Sequence, residues 1–172
     1  MAKVLIPGSF DPIHLGHLDV IASAQELFGD VVVAVMHNPD KPSGLFSADE
    51  RAGLVRSTLA AHDGGGLDRV EVVTHGGLAV QAAAQFGVDF IVKGLRGPAD
   101  FDIEQQMAHN NQQMTGIRTV YVPCNVALAH ISSRFVREIA ANGVSVGHLV
   151  PDVVSAALAD RFPDAPSTEG IR

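Results

Sequence analysis

Five short apolar runs constrain this chain more than any other feature: KVLIP at 3–7, VVVAVM at 31–36, VEVVT at 70–74, FIVKG at 90–94 and TVYVP at 119–123. Nearly continuous apolar runs of this length suit strands covered on both faces, as in a buried parallel sheet. Each run gives way to a longer segment with helical spacing, and that repeated order predicts an open five-stranded parallel α/β sheet with helices on both faces. Helices are expected at 15–28, 48–61, 78–86, 100–114, 134–142 and 153–161. Ser47 followed by Glu50 forms a capping-box pattern at the second of these. AHDGGG at 61–66 reads as a flexible turn.

The 172 residues suit one domain over 1–162, with PDAPSTEGIR at 163–172 as a flexible tail. No apolar run approaches the length of a membrane span, and the opening apolar stretch is too short for a signal-peptide core, so a soluble cytoplasmic protein is expected. Cys124 is the only cysteine, which excludes an intramolecular disulfide; it reads as a packing residue. His37, His62, His75, His109 and His148 have no spacing that suits zinc, so no metal held by protein side chains is expected.

A net charge of -7 argues against a nucleic-acid surface. It leaves small phosphorylated ligands open, provided the few cations converge. In a doubly wound sheet the ligand site lies beyond the carboxyl ends of the strands, so the loops following each strand decide the matter. Those loops read GSFDPIHLGH, HNPDKPSG, KGLRGPADF and PCNVALAHISSRFVR. They hold two of the three lysines, Lys41 and Lys93, together with Arg96, Arg134, Arg137, His14 and His17. An acidic chain thus gathers its cations on one rim.

Within the first loop, Gly8 would let the backbone approach a ligand, and Ser9 supplies a hydroxyl and an amide. His14 and His17 fall on one face of the first turn of the following helix, whose amides and dipole favour an anion. Gly16 would keep that approach uncrowded. Zinc binding or ordinary capping are the other uses of such a pair.

HLGH at 14–17 resembles the HxGH motif of the nucleotidyltransferase superfamily, and Ile131 to Arg137 resembles that superfamily's second motif, ISS followed by an arginine. Together with PGSFDPxxxGH, NPxK and VKGLRxxxDFxxExQMAxxN, the chain resembles the phosphopantetheine adenylyltransferases along essentially its whole length. The resemblance implies a Rossmann-like nucleotidyltransferase fold and transfer of the adenylyl group of ATP to 4'-phosphopantetheine. The products are dephospho-coenzyme A and pyrophosphate, in the penultimate step of coenzyme A synthesis. Magnesium with ATP, feedback inhibition by coenzyme A and a homohexamer are implied likewise.

The same resemblance assigns His17, Lys41 and Arg96 to catalysis. It assigns Ser9, Phe10, His14, His17, Gly94, Leu95, Arg96, Glu104, Leu128, Ala129, His130, Ile131, Ser132, Ser133 and Arg134 to ATP, and Ser9, Lys41, Ala79 and Lys93 to phosphopantetheine. Residue chemistry agrees with transfer of this kind. The attacking phosphate monoester has a second pKa of about 6 and needs no general base, so catalysis reduces to positioning and charge. FDPIHLGHL also resembles nicotinate-mononucleotide adenylyltransferase, because phosphopantetheine adenylyltransferases often carry Thr at the position of His14. Arg134 replaces a usual third Ser or Thr and either meets the leaving pyrophosphate or points to solvent; a regulator that binds nucleotide without turnover is the reading it would motivate. Ile103 stands where a Tyr is common.

Overall fold

The computed structural model describes residues 1–38, 44–62 and 66–166. Its strands and helices alternate as far as β5 and end in helices: β1 (Ala2–Gly8), α1 (Leu15–Phe28), β2 (Gly29–His37), α2 (Ala48–Ala60), β3 (Val70–Gly76), α3 (Ala79–Phe86), β4 (Phe90–Leu95), α4 (Pro98–Thr115), β5 (Arg118–Pro123), a 3-10 turn (Val126–Leu128), α5 (Ser133–Ala141) and α6 (Asp152–Arg161). The expected elements are all present. α4 begins two residues ahead of the expected start because Pro98 occupies its first turn, where a missing N–H is harmless.

The strands form one sheet in the order β3-β2-β1-β4-β5, every neighbouring pair parallel. The chain winds outward from β1 through β2 to β3, then returns to the other side of β1. Between β1 and β4 the winding reverses, and a crevice opens at the carboxyl edge of the sheet there.

Strand alternation assigns the two cores. Val4, Ile6, Val31, Val33 and Val35 face α1 and the carboxyl-terminal helices, whereas Leu5, Val32, Ala34 and Ile91 face Val80, Ala82 and Ala83 of α3. Ile21 on α1 is fully buried, so truncation to Ala would cost about 2–5 kcal/mol. Ser47 and Glu50 close the capping box as read: the Ser47 N–H donates to Glu50 Oε2 at 2.7 Å, and the Glu50 N–H donates to Ser47 Oγ at 3.3 Å. α4 differs from the other α-helices, since none of its 18 residues is buried. The turn at 63–65 and the tail at 167–172 lie outside the described residues.

Candidate active site

A cleft of about 340 Å³ lies at the switch point, between the loops following β1, β4 and β5. The amino-terminal ends of α1 and α5 both open onto it, through Gly16 and His17 on one side and Ser132 and Ser133 on the other. Two helix amino ends aimed at one cavity bring the positive ends of their dipoles to it, which favours an anionic ligand.

The loop leaving β1 is tightly held. Phe10 has φ +47, a conformation that costs a non-glycine residue about 1–3 kcal/mol and persists only where neighbours enforce it. Its ring is 2% exposed and lies over Gly8, where a Cβ would stand 2.9 Å from the ring. Gly8 therefore makes room for Phe10, and it also lines the cleft, where the sequence expects backbone to approach a ligand. The buried Asp11 carboxylate accepts the Leu45 N–H at 2.9 Å and the Phe46 N–H at 3.0 Å, and pairs with Arg137 at 3.5 Å. Arg137 also donates to the Asp11 carbonyl, and the Ser133 hydroxyl donates to the Pro12 carbonyl at 2.9 Å. Arg137, placed on the rim by the sequence, is thus engaged behind the loop and does not line the cleft.

His14 and His17 stack with ring centroids 3.6 Å apart and 22° between planes, and Phe10 meets His17 edge-on at 5.0 Å. The His14 N–H donates to His17 Nδ1 at 3.3 Å, so a neutral His17 carries its proton on Nε2. Burial, with repulsion from Arg96, lowers the pKa of His14 to about 4. Burial, His14 and Arg96, in that order, hold His17 well below the ordinary histidine range. The two rings converge as expected, but at neutral pH they are uncharged donors and not part of the cationic rim. Gly16 is explained by the same pair. A Cβ there would lie 3.2 Å from His14 Cε1 and 3.3 Å from its Nδ1, so the glycine admits the imidazole.

The charge comes from the β4 loop. Lys93 pairs with Glu104 at 3.0 Å, reaching from the strand to α4. Arg96 forms a two-pronged pair with Asp100, Nε to Oδ2 at 2.9 Å and Nη2 to Oδ1 at 3.0 Å, and its Nη1 donates to the Ile131 carbonyl at 3.1 Å. Arg96 therefore ties the KGLR segment to the ISS segment. Asp100, held below the usual carboxylate range chiefly by its hydrogen bond from Arg96, also accepts the Arg96 N–H. Glu104 Oε2 and His14 Nδ1 are buried polar atoms without a hydrogen-bond partner among the described residues.

Ten of the sequence-derived site residues line this cleft: Ser9, Phe10, His14, His17, Lys93, Gly94, Arg96, Glu104, Ser132 and Ser133. Leu95, Ala79, Leu128, Ala129, His130 and Ile131 do not; Ile131 is 2% exposed in the core and offers the cleft's Arg96 only its carbonyl. Arg134 is exposed and outside the lining, while Lys41 lies outside the described residues. Asp100 and Cys124 line the cleft without having been assigned to it. The four-residue spacing between Arg96 and Asp100 was a usable signal; nothing near Cys124 offered one.

A model of the cytidylyltransferase-like family matches residues 5–139. The phosphopantetheine adenylyltransferase of Cutibacterium acnes is 44% identical over 161 residues, covering 94% of this chain and 99% of that protein. Its namesake from Streptomyces coelicolor is 44% identical over 162 residues, covering 94% and 98%. That of Corynebacterium glutamicum is 39% identical over 160 residues, covering 93% and 97%. Among solved structures, a Vibrio parahaemolyticus protein assigned as a nicotinate-nucleotide adenylyltransferase superposes with a TM-score of 0.64 at 21% identity, over 92% of this chain and 99% of that one, and so shares its fold. An α/β sheet in the order 3-2-1-4-5, a cleft lined by His14 and His17 at its switch point and these relatives agree: the chain belongs to the cytidylyltransferase-like nucleotidyltransferases and, within them, to the phosphopantetheine adenylyltransferase family.

Proposed function

We infer that this protein transfers the adenylyl group of ATP to 4'-phosphopantetheine, releasing pyrophosphate and dephospho-coenzyme A, by direct in-line attack. The observation that carries the reading is the cleft. Two helix amino ends, the neutral His17 donor and the tethered Arg96 surround a space whose chemistry suits phosphoryl oxygens, and the thiol at its edge, Cys124, is held protonated by burial, which favours the acceptor phosphate as the attacking group.

The acceptor's phosphate oxygen attacks the α-phosphorus as its bond to the leaving pyrophosphate breaks. His17 Nε2–H donates to the α-phosphate oxygens, where charge develops in the transition state, and its Nδ1 stays committed to the His14 amide. Arg96, held in orientation by Asp100, faces the departing phosphates from the β4 side, and Lys93 exchanges Glu104 for a phosphate when substrate enters. Ser132, whose Oγ accepts the Phe135 N–H, keeps its own hydroxyl proton to offer at the start of α5, while the Ser133 hydroxyl is committed to the Pro12 carbonyl. We place Ser9, Lys41, Ala79 and Lys93 on the acceptor side, and Phe10, His14, Gly94, Leu95, Glu104 and the Leu128–Arg134 segment on the nucleotide side.

Magnesium fits this site as a companion of ATP. The carboxylates lining the cleft, Asp100 and Glu104, are each engaged by a cation, and no three His, Cys, Asp or Glu side chains among the described residues converge to cage a metal. Carried on the triphosphate, the ion would supply charge neutralisation there.

Assembly into a homohexamer is part of the same reading. α4 buries none of its residues and exposes Ile103, Met107 and Met114 along one stripe, a surface suited to further copies. Coenzyme A, which contains the product's skeleton, is placed as an inhibitor at the same cleft. A cytoplasmic location accords with there being, among the described residues, no helix long and apolar enough to cross a membrane.

Pyrophosphate release from ATP and magnesium, with 4'-phosphopantetheine or nicotinate mononucleotide as acceptor, tests the reading. Release with phosphopantetheine alone is expected. Release only with the nucleotide would move the acceptor to the one suggested by His14, and release with neither would leave a nucleotide-binding regulator.

A further inference from the structure

Arg51, in the first turns of α2, is 4% exposed, and among the described residues every acceptor of its guanidinium is a backbone carbonyl. Nε donates to Phe46 O at 3.2 Å and to Ser47 O at 3.3 Å; Nη1 donates to Ser9 O at 2.5 Å and to Met36 O at 3.0 Å. One side chain thus joins three separate segments. Ser9 belongs to the loop after β1 and lines the cleft. Met36 lies near the end of β2, and Phe46 and Ser47 lead into α2, so Arg51 grips both flanks of the connection in which the sequence carries Lys41.

Burying a cation is a poor way to stabilise a core. Desolvation offsets most of the hydrogen-bond energy, and an apolar side chain of similar volume commonly serves stability as well. A guanidinium does offer fixed geometry, because several donors in one plane set the relative positions of everything they touch. The segment it fixes needs holding: the Ser9–Phe10 peptide precedes a residue at φ +47, and Asp11 and Pro12 just beyond are anchored from the opposite side through Arg137 and Ser133.

We propose that Arg51 is a positioning residue for the transfer reaction, setting the Ser9–Phe10 peptide against the end of β2 so that Ser9 meets the substrates in a preset orientation. The proposal rests on the adenylyl-transfer reading above. Arg51 touches no substrate itself. It acts through the placement of Ser9, and a misplacement of about 1 Å at such a site can cost on the order of a hundredfold in rate.

The test uses the full chain with Arg51→Lys and Arg51→Gln, each checked by circular dichroism and thermal melting and assayed well below its melting temperature. Both should lose about tenfold or more in kcat while ATP affinity changes by less than about threefold, and Lys should not rescue, since one ammonium cannot span carbonyls in three segments. Adding Arg51→Lys to Ser9→Ala should then cost less than about twofold further, because the two act through one group. Folded variants with full kcat, losses that multiply independently with Ser9→Ala, or failure of both variants to fold would each overturn the proposal by assigning Arg51 to stability alone. A wild-type protein that does not use phosphopantetheine would instead strike the adenylyl-transfer reading, so the two failures are distinguishable.

Discussion

Lowering the pH from 7.5 to 5 should remove about 2 kcal/mol of stability through His14 alone. An imidazole in the unfolded chain titrates near 6.5, whereas burial and Arg96 lower His14 in the folded protein to about 4. Between those values the unfolded state binds a proton that the folded state refuses. Stability is therefore complete above pH 6.5, falls as the pH drops, and levels off below the folded pKa. At pH 5 the unfolded ring is almost fully charged and the folded ring almost fully neutral, which by linkage gives about 2 kcal/mol, rising to about 3 kcal/mol once the pH is well below 4. His17, lowered by burial, by His14 and by Arg96, adds to the loss in the same direction. Urea titrations at pH 7.5 and pH 5, on the wild-type protein and on His14→Asn, isolate the effect, since carboxylates common to both cancel in the difference. The wild-type protein should lose about 2 kcal/mol more than the variant. Equal losses, or a His14 ring that titrates near 6.5 by NMR, would refute the claim that the opening histidines work as neutral groups.

His17→Ala should lower kcat by about a hundredfold or more while ATP affinity measured by calorimetry changes by less than about threefold, because its donor bond strengthens only as charge develops; unchanged turnover would remove the role. Gly94→Ala places a methyl 2.7 Å from Val20 Cγ2, where α1 crosses β4, and should cost about 1–3 kcal/mol in urea unfolding. Combining it with Val20→Ala should cost less than the sum of the two single changes, and simple additivity would show that the contact is not the cause.

The strands were legible because their pattern is local: valine-rich runs and the intervening amphipathic segments set element type and order without reference to distant residues. The same holds for Ser47 and Glu50, whose reciprocal bonds span three residues. The opening histidines were legible as a pair facing one site, since helical spacing places them together. Their charge was not, because protonation follows from burial and from Arg96, which reaches them only through the fold. Gly8 and Gly16 were read as clearance for a ligand, and both line the cleft, but each also clears space for an aromatic ring of the protein itself. That second demand depends on where the Phe10 and His14 rings turn.

The sequence by itself determined an alternating parallel α/β chain and the rim on which its cations gather, both of which follow from local periodicity and spacing, and its HLGH, KGLR and ISS motifs carried the resemblance to the family. Only the tertiary structure decided how the loop after β1 is held. Asp11 finds its amide donors 34 and 35 residues away, Arg51 reaches Ser9 across 42, and Arg137 reaches Asp11 across 126. Pairings at such separations are selected by packing and by the need to satisfy buried polar groups, and no local pattern encodes them.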